Sequence, residues 1–390
     1  MKNIVILGSS GSIGRNAVEA AVNLGGGYHV LGLAVNSNID ILLEQIKLLH
    51  TEYATVYEEA AWQKFKPLCP AGTTLLPPGK EGLDQLASLE KADIVLNSVT
   101  GAVGFSPLLA ALRAGKNVAL ANKEPMVMAG ALFMQEAAKH GARILPVDSE
   151  PSAIFQSTAG LNPGEYDEAL SRIFLTASGG PFYDGKQKLE DVRPEQALKH
   201  PRWKMGPKIT IDSSTLMNKG LEMIEIMNMF GVPLSKIQVL IHPQSIIHSG
   251  VEFKDGAVIV QISWPDMRLP IQYALTWPER KKSLVRPMDF YELARMDFAR
   301  PDFRRFRCLK LAMDAGEKGN VFPSALSAAN EIAVGLFLKG KILFTHIPVI
   351  VEKVLEQTSA AKVFTLEAAV ETDQWARIKA AEAAKTLSAN

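Results

Sequence analysis

The sequence predicts an α/β protein in three parts: an N-terminal doubly wound parallel sheet, a central α+β domain and a C-terminal helical domain. Three observations carry that prediction. From residue 1 to about 149, short β-rich runs alternate with helically spaced segments, the pattern of a parallel sheet covered by helices. After Glu150, strands follow one another and a hairpin signal joins two of them. From residue 307 to 390 only helical patterns remain. The length of 390 residues also exceeds what one hydrophobic core usually serves, so several domains are expected.

In the first part, "NIVILG", "HVLGLAV", "ADIVLNSV", "NVALAN" and "RILPVD" are compact apolar runs suited to strands buried on both faces. Between them "SIGRNAVEAAVNLG", "NIDILLEQIKLLH" and "FSPLLAALRAG" have helical spacing and glycine stops. The first run, "NIVIL", is only five residues long and is closed by glycine, which favours a strand over a leader segment. Residues 1–149 are thus expected to form a Rossmann-like dinucleotide domain. In residues 150–278 the expected strands are "SRIFLTA", "KITID", "IQVLIH", "SIIHSGVEF" and "AVIVQISW", the last two joined through "KDG". The segment "STLMNKGLEMIEIMNMF" reads as one helix among them. Residues 279–306 are charged and proline-punctuated, the composition of a linker, and residues 307–390 form the helical domain.

Composition excludes several classes. A net charge of +1, spread along the chain, offers no basic surface for nucleic acid or an anionic membrane. No apolar run reaches the ~18 residues of a membrane span. Cys69 and Cys308 are the two cysteines, without metal-ligand spacing, which excludes a thiolate zinc site and a disulfide scaffold. They suit a reducing cytoplasm.

Four stretches carry chemistry. "GSSGSIG", Gly8 to Gly14, follows the first strand and opens a helix. Glycines there let backbone N–H groups at a helix N-terminus approach a pyrophosphate; the alternative is a tight turn without ligand. The end of the second strand reads Asn36-Ser37-Asn38, with no acid to hold a ribose hydroxyl, which permits a 2′-phosphate and favours NADP over NAD. In "ILPVDSEPSAI" the carboxylates Asp148 and Glu150 stand two apart, on one face if the backbone is extended. The helix with Asn218, Lys219 and Glu222 supplies a third carboxylate, completing an oxygen set for Mg²⁺ or Mn²⁺. The competing reading makes Asp148 a helix cap and pairs Glu222 with Lys219 on a solvated face. Finally, Ser178-Gly179-Gly180 with Ser213, at the expected helix start, Asn218 and Lys219 suits a phosphate. The loop "KHPRWKMG", with Trp203, is either a packing anchor or a lid near residues 199–207. His248 is expected to be structural.

The motifs "GSSGSIG", "LANKE", "VDSE", "LTASGGPF", "HPRWKMG" and "NKGLEMIE", in this order, resemble the 1-deoxy-D-xylulose 5-phosphate reductoisomerase family over nearly the whole chain. "HPQSIIHS", "WPDMR" and "AANEIAV" extend the resemblance. It implies an NADPH-dependent enzyme using Mn²⁺, Mg²⁺ or Co²⁺ to rearrange and reduce a ketose phosphate to 2-C-methyl-D-erythritol 4-phosphate for isoprenoid synthesis. It also implies a homodimer formed through the middle domain. By matching position, Asp148, Glu150 and Glu222 resemble the metal ligands. Lys123, Ser149, Glu150, Ser178, His200, Ser213, Asn218, Lys219 and Glu222 resemble the substrate set. Of these, Lys123, Glu150 and His200 are assigned to catalysis. Gly8, Ser10, Gly11, Ser12, Ile13, Asn122, Glu124 and Gly206 match nucleotide contacts, joined here by Asn36, Ser37 and Asn38. Trp203 and Met205 match the lid, and Met267 lies on a matching loop. The family commonly places a basic residue where Ser37 stands, so the strength of the preference for NADPH over NADH does not follow from the resemblance.

Two rivals make different demands. A semialdehyde-type NADP-dependent dehydrogenase needs a cysteine nucleophile between its domains, and neither Cys69 nor Cys308 is placed for that. A non-enzymatic NADP sensor needs no divalent metal.

Overall fold

The computed structural model describes residues 1–203 and 205–388. The chain divides into two compact units. The first comprises Met1–Pro125, Phe133–Ser152 and Asp266–Pro287; the second comprises Met126–Leu132, Ala153–Pro265 and the chain from Met288 onward.

The first unit is built on a seven-stranded parallel sheet. Its strands are β1 (Lys2–Leu7), β2 (Tyr28–Val35), β3 (Tyr53–Val56), β4 (Thr74–Leu75), β5 (Ile94–Asn97), β6 (Asn117–Leu120) and β7 (Ile144–Pro146). Their spatial order is β4-β3-β2-β1-β5-β6-β7. Ile4, Val5, Ile6 and Leu7 are fully buried in the central strand, which explains why β1 is an unbroken apolar run. The order reverses between β1 and β5, and the carboxyl ends of strands at such a switch point are where doubly wound sheets hold ligands.

The second unit contains a four-stranded sheet of order β11-β10-β8-β9. These are β8 (Leu170–Ala177), β9 (Ile237–Ile241), β10 (Ile247–Phe253) and β11 (Val258–Ile262). β8 and β9 run parallel, whereas β10 is antiparallel to both β8 and β11. The helix Met217–Phe230 lies against the helix Arg307–Lys318. A Cβ at Gly220 would strike Ala312 Cβ, so glycine is what permits this approach. The helices Phe322–Leu338, His346–Gln357 and Leu366–Ser388 pack on one another beyond it.

Several elements depart from the sequence reading. "KITID" is not a strand but part of the helix Pro207–Ser214. Proline at its first position, Thr210 Oγ1 bonded to Gly206 O (2.8 Å) and the Lys208–Asp212 pair one turn apart (2.9 Å) favour the helix. Ser213 therefore sits near the end of that helix and does not open the next one. The single helix expected from Ser214 to Phe230 begins at Met217, because Leu216 adopts a left-handed conformation (φ 58°). β7 stops at Pro146 and Ser149 already opens a helix, so Asp148 and Glu150 are not neighbours on one extended face. β3 and β4 have no counterpart in the sequence reading. Within 279–306 the chain is mostly irregular, with a short helix Phe290–Leu293, and Ala299 bridges to Ile241.

Candidate active site

In the first unit, the glycine turn after β1 is held by its own backbone. Gly8 N and Ser9 N both donate to Ala34 O (2.9 and 2.8 Å), and Gly8 takes a left-handed φ of 84°. A Cβ at Gly14 would stand 2.5 Å from Ser9 Cα, so the helix Ser12–Leu24 packs directly on the turn. Gly11 caps that helix without a side-chain bond, and its first turn carries no acid, leaving its N–H end suited to an anion. Gln45 Nε2 supports the turn from behind by donating to Ser9 O (2.9 Å). Ser10, Ser12 and Ile13 lie on the same turn and helix start.

Asn36, Ser37 and Asn38 are exposed beyond β2. Asn38 accepts from Ile41 N (3.2 Å) as the cap of the next helix. Past β6, Asn122 Nδ2 donates to Val99 O and to Gly101 O (2.8 Å), while its Oδ1 accepts from Glu124 N (3.1 Å). One amide thereby ties together the two loops that follow β5 and β6. These residues fit a dinucleotide: an open helix start, a turn that excludes side chains and a switch-point edge.

Past β7, Asp148 sits at the start of the helix Ser149–Ser157. Its carbonyl accepts from Ser152 N (2.9 Å), and its Oδ1 accepts from Ser149 N (3.0 Å). The helix-start position that the competing reading gave Asp148 is therefore present. The Lys123 ammonium, itself buried, pairs with Asp148 Oδ2. Ser149 Oγ donates to Glu150 Oε2 (2.6 Å).

The second unit presents a small pocket lined by Ala177, Ser178, Gly179, Ser213, Leu216, Asn218 and Lys219. Gly179 and Gly180 adopt φ of 83° and 67°, and a Cβ at Gly180 would lie 2.8 Å from Ser213 O. Both glycines are required for the β8 loop to approach Ser213 so closely. Glu222 is fully buried, and Lys219 Nζ (2.6 Å) and Asn218 Nδ2 (2.5 Å) both donate to its carboxylate. The Lys219–Glu222 pair of the competing reading exists, but inside the protein rather than on a solvated face.

His200 has its tautomer fixed by its neighbours. Nδ1 accepts from Arg202 N (3.2 Å) and Trp203 N (2.9 Å), so the proton is on Nε2 and is donated to Ser178 Oγ (2.9 Å). Gly180 N also donates to that oxygen (3.2 Å), which turns the serine proton outward for an acceptor. Burial, reinforced by the positive charge of Lys219, pushes the His200 ring down to about 4 and keeps it neutral. Trp203 is half-buried, its ring edge against His248 (6.0 Å between centroids). His248 Nε2 bonds to Ser263 O (3.1 Å), the structural role expected for it. Met205 is half-buried and Gly206 caps the following helix. Met267 caps the helix Arg268–Thr276 in the first unit.

The sequence reading missed Leu216, Gln45 and the buried His242. Nδ1 of His242 bonds to Asp297 O (2.9 Å), and its Nε2 accepts from Ile246 N and Ile247 N (3.1 and 3.2 Å). Its place in "HPQSIIHS" was the one available signal.

A parallel-sheet unit with a glycine turn at its switch-point edge and a second unit with a serine- and lysine-lined pocket suit an NADP-dependent oxidoreductase acting on a phosphorylated substrate. Family models described as 1-deoxy-D-xylulose 5-phosphate reductoisomerase and its C-terminal domain match residues 4–130 and 144–230. One for the DXP reductoisomerase C-terminal domain matches residues 262–379. The chain is 54% identical over 383 residues to a 1-deoxy-D-xylulose 5-phosphate reductoisomerase of Elusimicrobium minutum, covering 98% of this chain and 97% of that one. It is 49% identical to that of Pelotomaculum thermopropionicum, covering 97% of each. The fold matches the Zymomonas mobilis enzyme in complex with NADPH at a TM-score of 0.91 and 39% identity, over 99% and 100% of the two chains. A DOX-P reductoisomerase in complex with NADPH, fosmidomycin and magnesium matches at 0.93 and 39%, over 99% of each. The chain belongs to the 1-deoxy-D-xylulose 5-phosphate reductoisomerase family.

Proposed function

We propose that the chain converts 1-deoxy-D-xylulose 5-phosphate to 2-C-methyl-D-erythritol 4-phosphate with NADPH and a divalent cation. The observation that carries this reading is the donor chemistry. Asp148 and Glu150 in the first unit and Glu222 in the second are the acidic side chains we assign to the metal ion. Three carboxylates suit Mg²⁺ or Mn²⁺ and not a thiophilic metal. A cation there would polarise a chelated carbonyl and hydroxyl, and NADPH on the glycine turn would supply the hydride.

The chain's own residues do the rest. Lys123 and Lys219 neutralise Asp148 and Glu222 and hold each carboxylate in place. Ser178 presents its hydroxyl proton to the substrate phosphate, because His200 and Gly180 occupy its acceptor side. Ser213, Asn218 and Lys219 complete that phosphate pocket, so binding energy remote from the reacting carbons aligns them. His200 acts as a hydrogen-bond donor rather than a base. Its two bonds to the backbone of residues 202 and 203 tie the Trp203 loop to Ser178. Glu150, holding the Ser149 hydroxyl, is the carboxylate we assign to proton shuttling.

A homodimer is proposed as well. β11 is an edge strand with Val258 and Ile259 exposed, the kind of edge that association covers. No helix among the described residues is long and apolar enough to cross a membrane. The cysteine usage supports a cytoplasmic setting. The test is loss of NADPH absorbance on adding 1-deoxy-D-xylulose 5-phosphate with Mn²⁺. Oxidation that needs both additions supports the reading. Oxidation indifferent to metal, or none at all, refutes it.

A further inference from the structure

Asn330 is fully buried at the middle of the helix Phe322–Leu338, among alanines, larger apolar side chains and the small buried hydroxyls of Ser324 and Ser327. Its Nδ2 donates to Asp212 Oδ1 at 2.7 Å. Asp212 is itself buried, and its second oxygen takes Lys208 Nζ at 2.9 Å. The Oδ1 atom of Asn330 is buried and has no hydrogen-bond partner. A residue needed only for packing there would be apolar, so the amide is retained for the carboxylate it serves.

That carboxylate belongs to the short helix Pro207–Ser214, which sets three features at once. Ser214 Oγ donates to Ala197 O (2.8 Å), before the Trp203 loop, and Thr210 Oγ1 donates to Gly206 O (2.8 Å), after it. Ser213, on the same helix, lines the phosphate pocket. A slide or rotation of this helix displaces both anchors of the loop and one wall of the pocket together.

We propose that Asn330 is a positioning residue of the reaction, acting through Asp212 to hold the helix that carries Ser213 and both anchors of the Trp203 loop. This gives the C-terminal helices a part in substrate alignment, and it rests on the function proposed above. The test uses the full-length chain, with steady-state kinetics in both substrates and a thermal unfolding trace. Asn330→Ala is expected to raise the sugar-phosphate KM or lower kcat by about tenfold or more, as sub-ångström to ångström misplacement does. The KM for NADPH is expected to rise less than the sugar-phosphate KM, since the glycine turn lies in the other unit and, of the matched nucleotide contacts, Gly206 is the one tied to this helix. Asn330→Asp faces Asp212 with a second carboxylate and is expected to be as impaired. The swapped pair D212N/N330D restores one donor and one acceptor and should recover most of the loss. If Asn330→Ala does not unfold cooperatively, the swapped pair against Asn330→Asp decides alone.

Unchanged kinetics in Asn330→Ala, an equal rise in both KM values, or no recovery in the swapped pair each overturns the proposal. A wild-type chain without turnover overturns the function and this role with it. An active wild type with an indifferent Asn330→Ala removes the positioning role alone.

Discussion

Replacing Gly14 with alanine gives the sharpest test of the nucleotide turn. The added Cβ would stand 2.5 Å from Ser9 Cα and 2.7 Å from the Ser9 carbonyl carbon, where ordinary contact begins near 3.4 Å. The shortfall is about 1 Å, and the obstacles are backbone atoms that cannot swing aside. Either the helix Ser12–Leu24 retreats or the turn opens, at a cost of about 1–3 kcal/mol by analogy with overpacked cores. Borne by the NADPH-bound state, that cost corresponds to a roughly 5- to 150-fold weaker Kd. The assay is a fluorescence titration with NADPH, beside a thermal midpoint. Gly27→Ala is the control, because a Cβ there meets nothing within 4 Å. If Gly14→Ala binds NADPH as tightly as wild type at an unchanged midpoint, the turn is not the pyrophosphate cradle described here.

Other predictions follow from the same geometry. Burial pushes the Cys308 thiol up to about 12, and it also raises that of half-buried Cys69. Thiol alkylation of the folded enzyme should therefore leave turnover intact; loss of activity would revive the cysteine-dehydrogenase reading. Lys219→Met removes the 2.6 Å partner of buried Glu222, which should cost about 3–5 kcal/mol in unfolding free energy measured with urea. The His200 ring titrates near 4 when folded against an ordinary 6.5, so the unfolded chain takes up the proton first. Its contribution to stability is complete above about pH 6.5 and is lost as pH falls toward 4. His200→Asn should flatten that part of the midpoint–pH curve, and an unchanged slope would contradict the assignment. Ser37→Arg should raise the NADPH-to-NADH ratio of kcat/KM, since a guanidinium there can pair with a 2′-phosphate.

Much of the first unit was legible because its signals are local. An apolar run, a glycine turn and a helical repeat follow within the first 24 residues, and the structure places β1, the turn and the helix Ser12–Leu24 in that order. "KDG" likewise lies between β10 and β11. β3 and β4 were illegible because "YATV" and "TL" are too short to carry periodicity. "KITID" misled because its alternation imitates a strand, whereas Pro207 and the Lys208–Asp212 pair turn it into a helix. No glycine or proline announces the break at Leu216, a buried leucine at positive φ.

At the site, residue types were readable and partners were not. Asp148, Glu150 and Glu222 were recognisable as oxygen donors, but that Lys123 pairs with Asp148 depends on two strand ends meeting in a parallel sheet. The Asp212–Asn330 bond joins residues 118 apart and leaves no trace in spacing. The His200 tautomer follows from two backbone N–H groups, which no side-chain pattern records.

The central claim, one divalent cation shared by Asp148, Glu150 and Glu222, is tested most directly by Mn²⁺ titration followed by electron paramagnetic resonance. Wild type should show one strong site, and Glu222→Gln should weaken it at least about tenfold while NADPH affinity stays unchanged. Equal Mn²⁺ affinity in the two proteins would remove Glu222 from the ligand set and contradict the account.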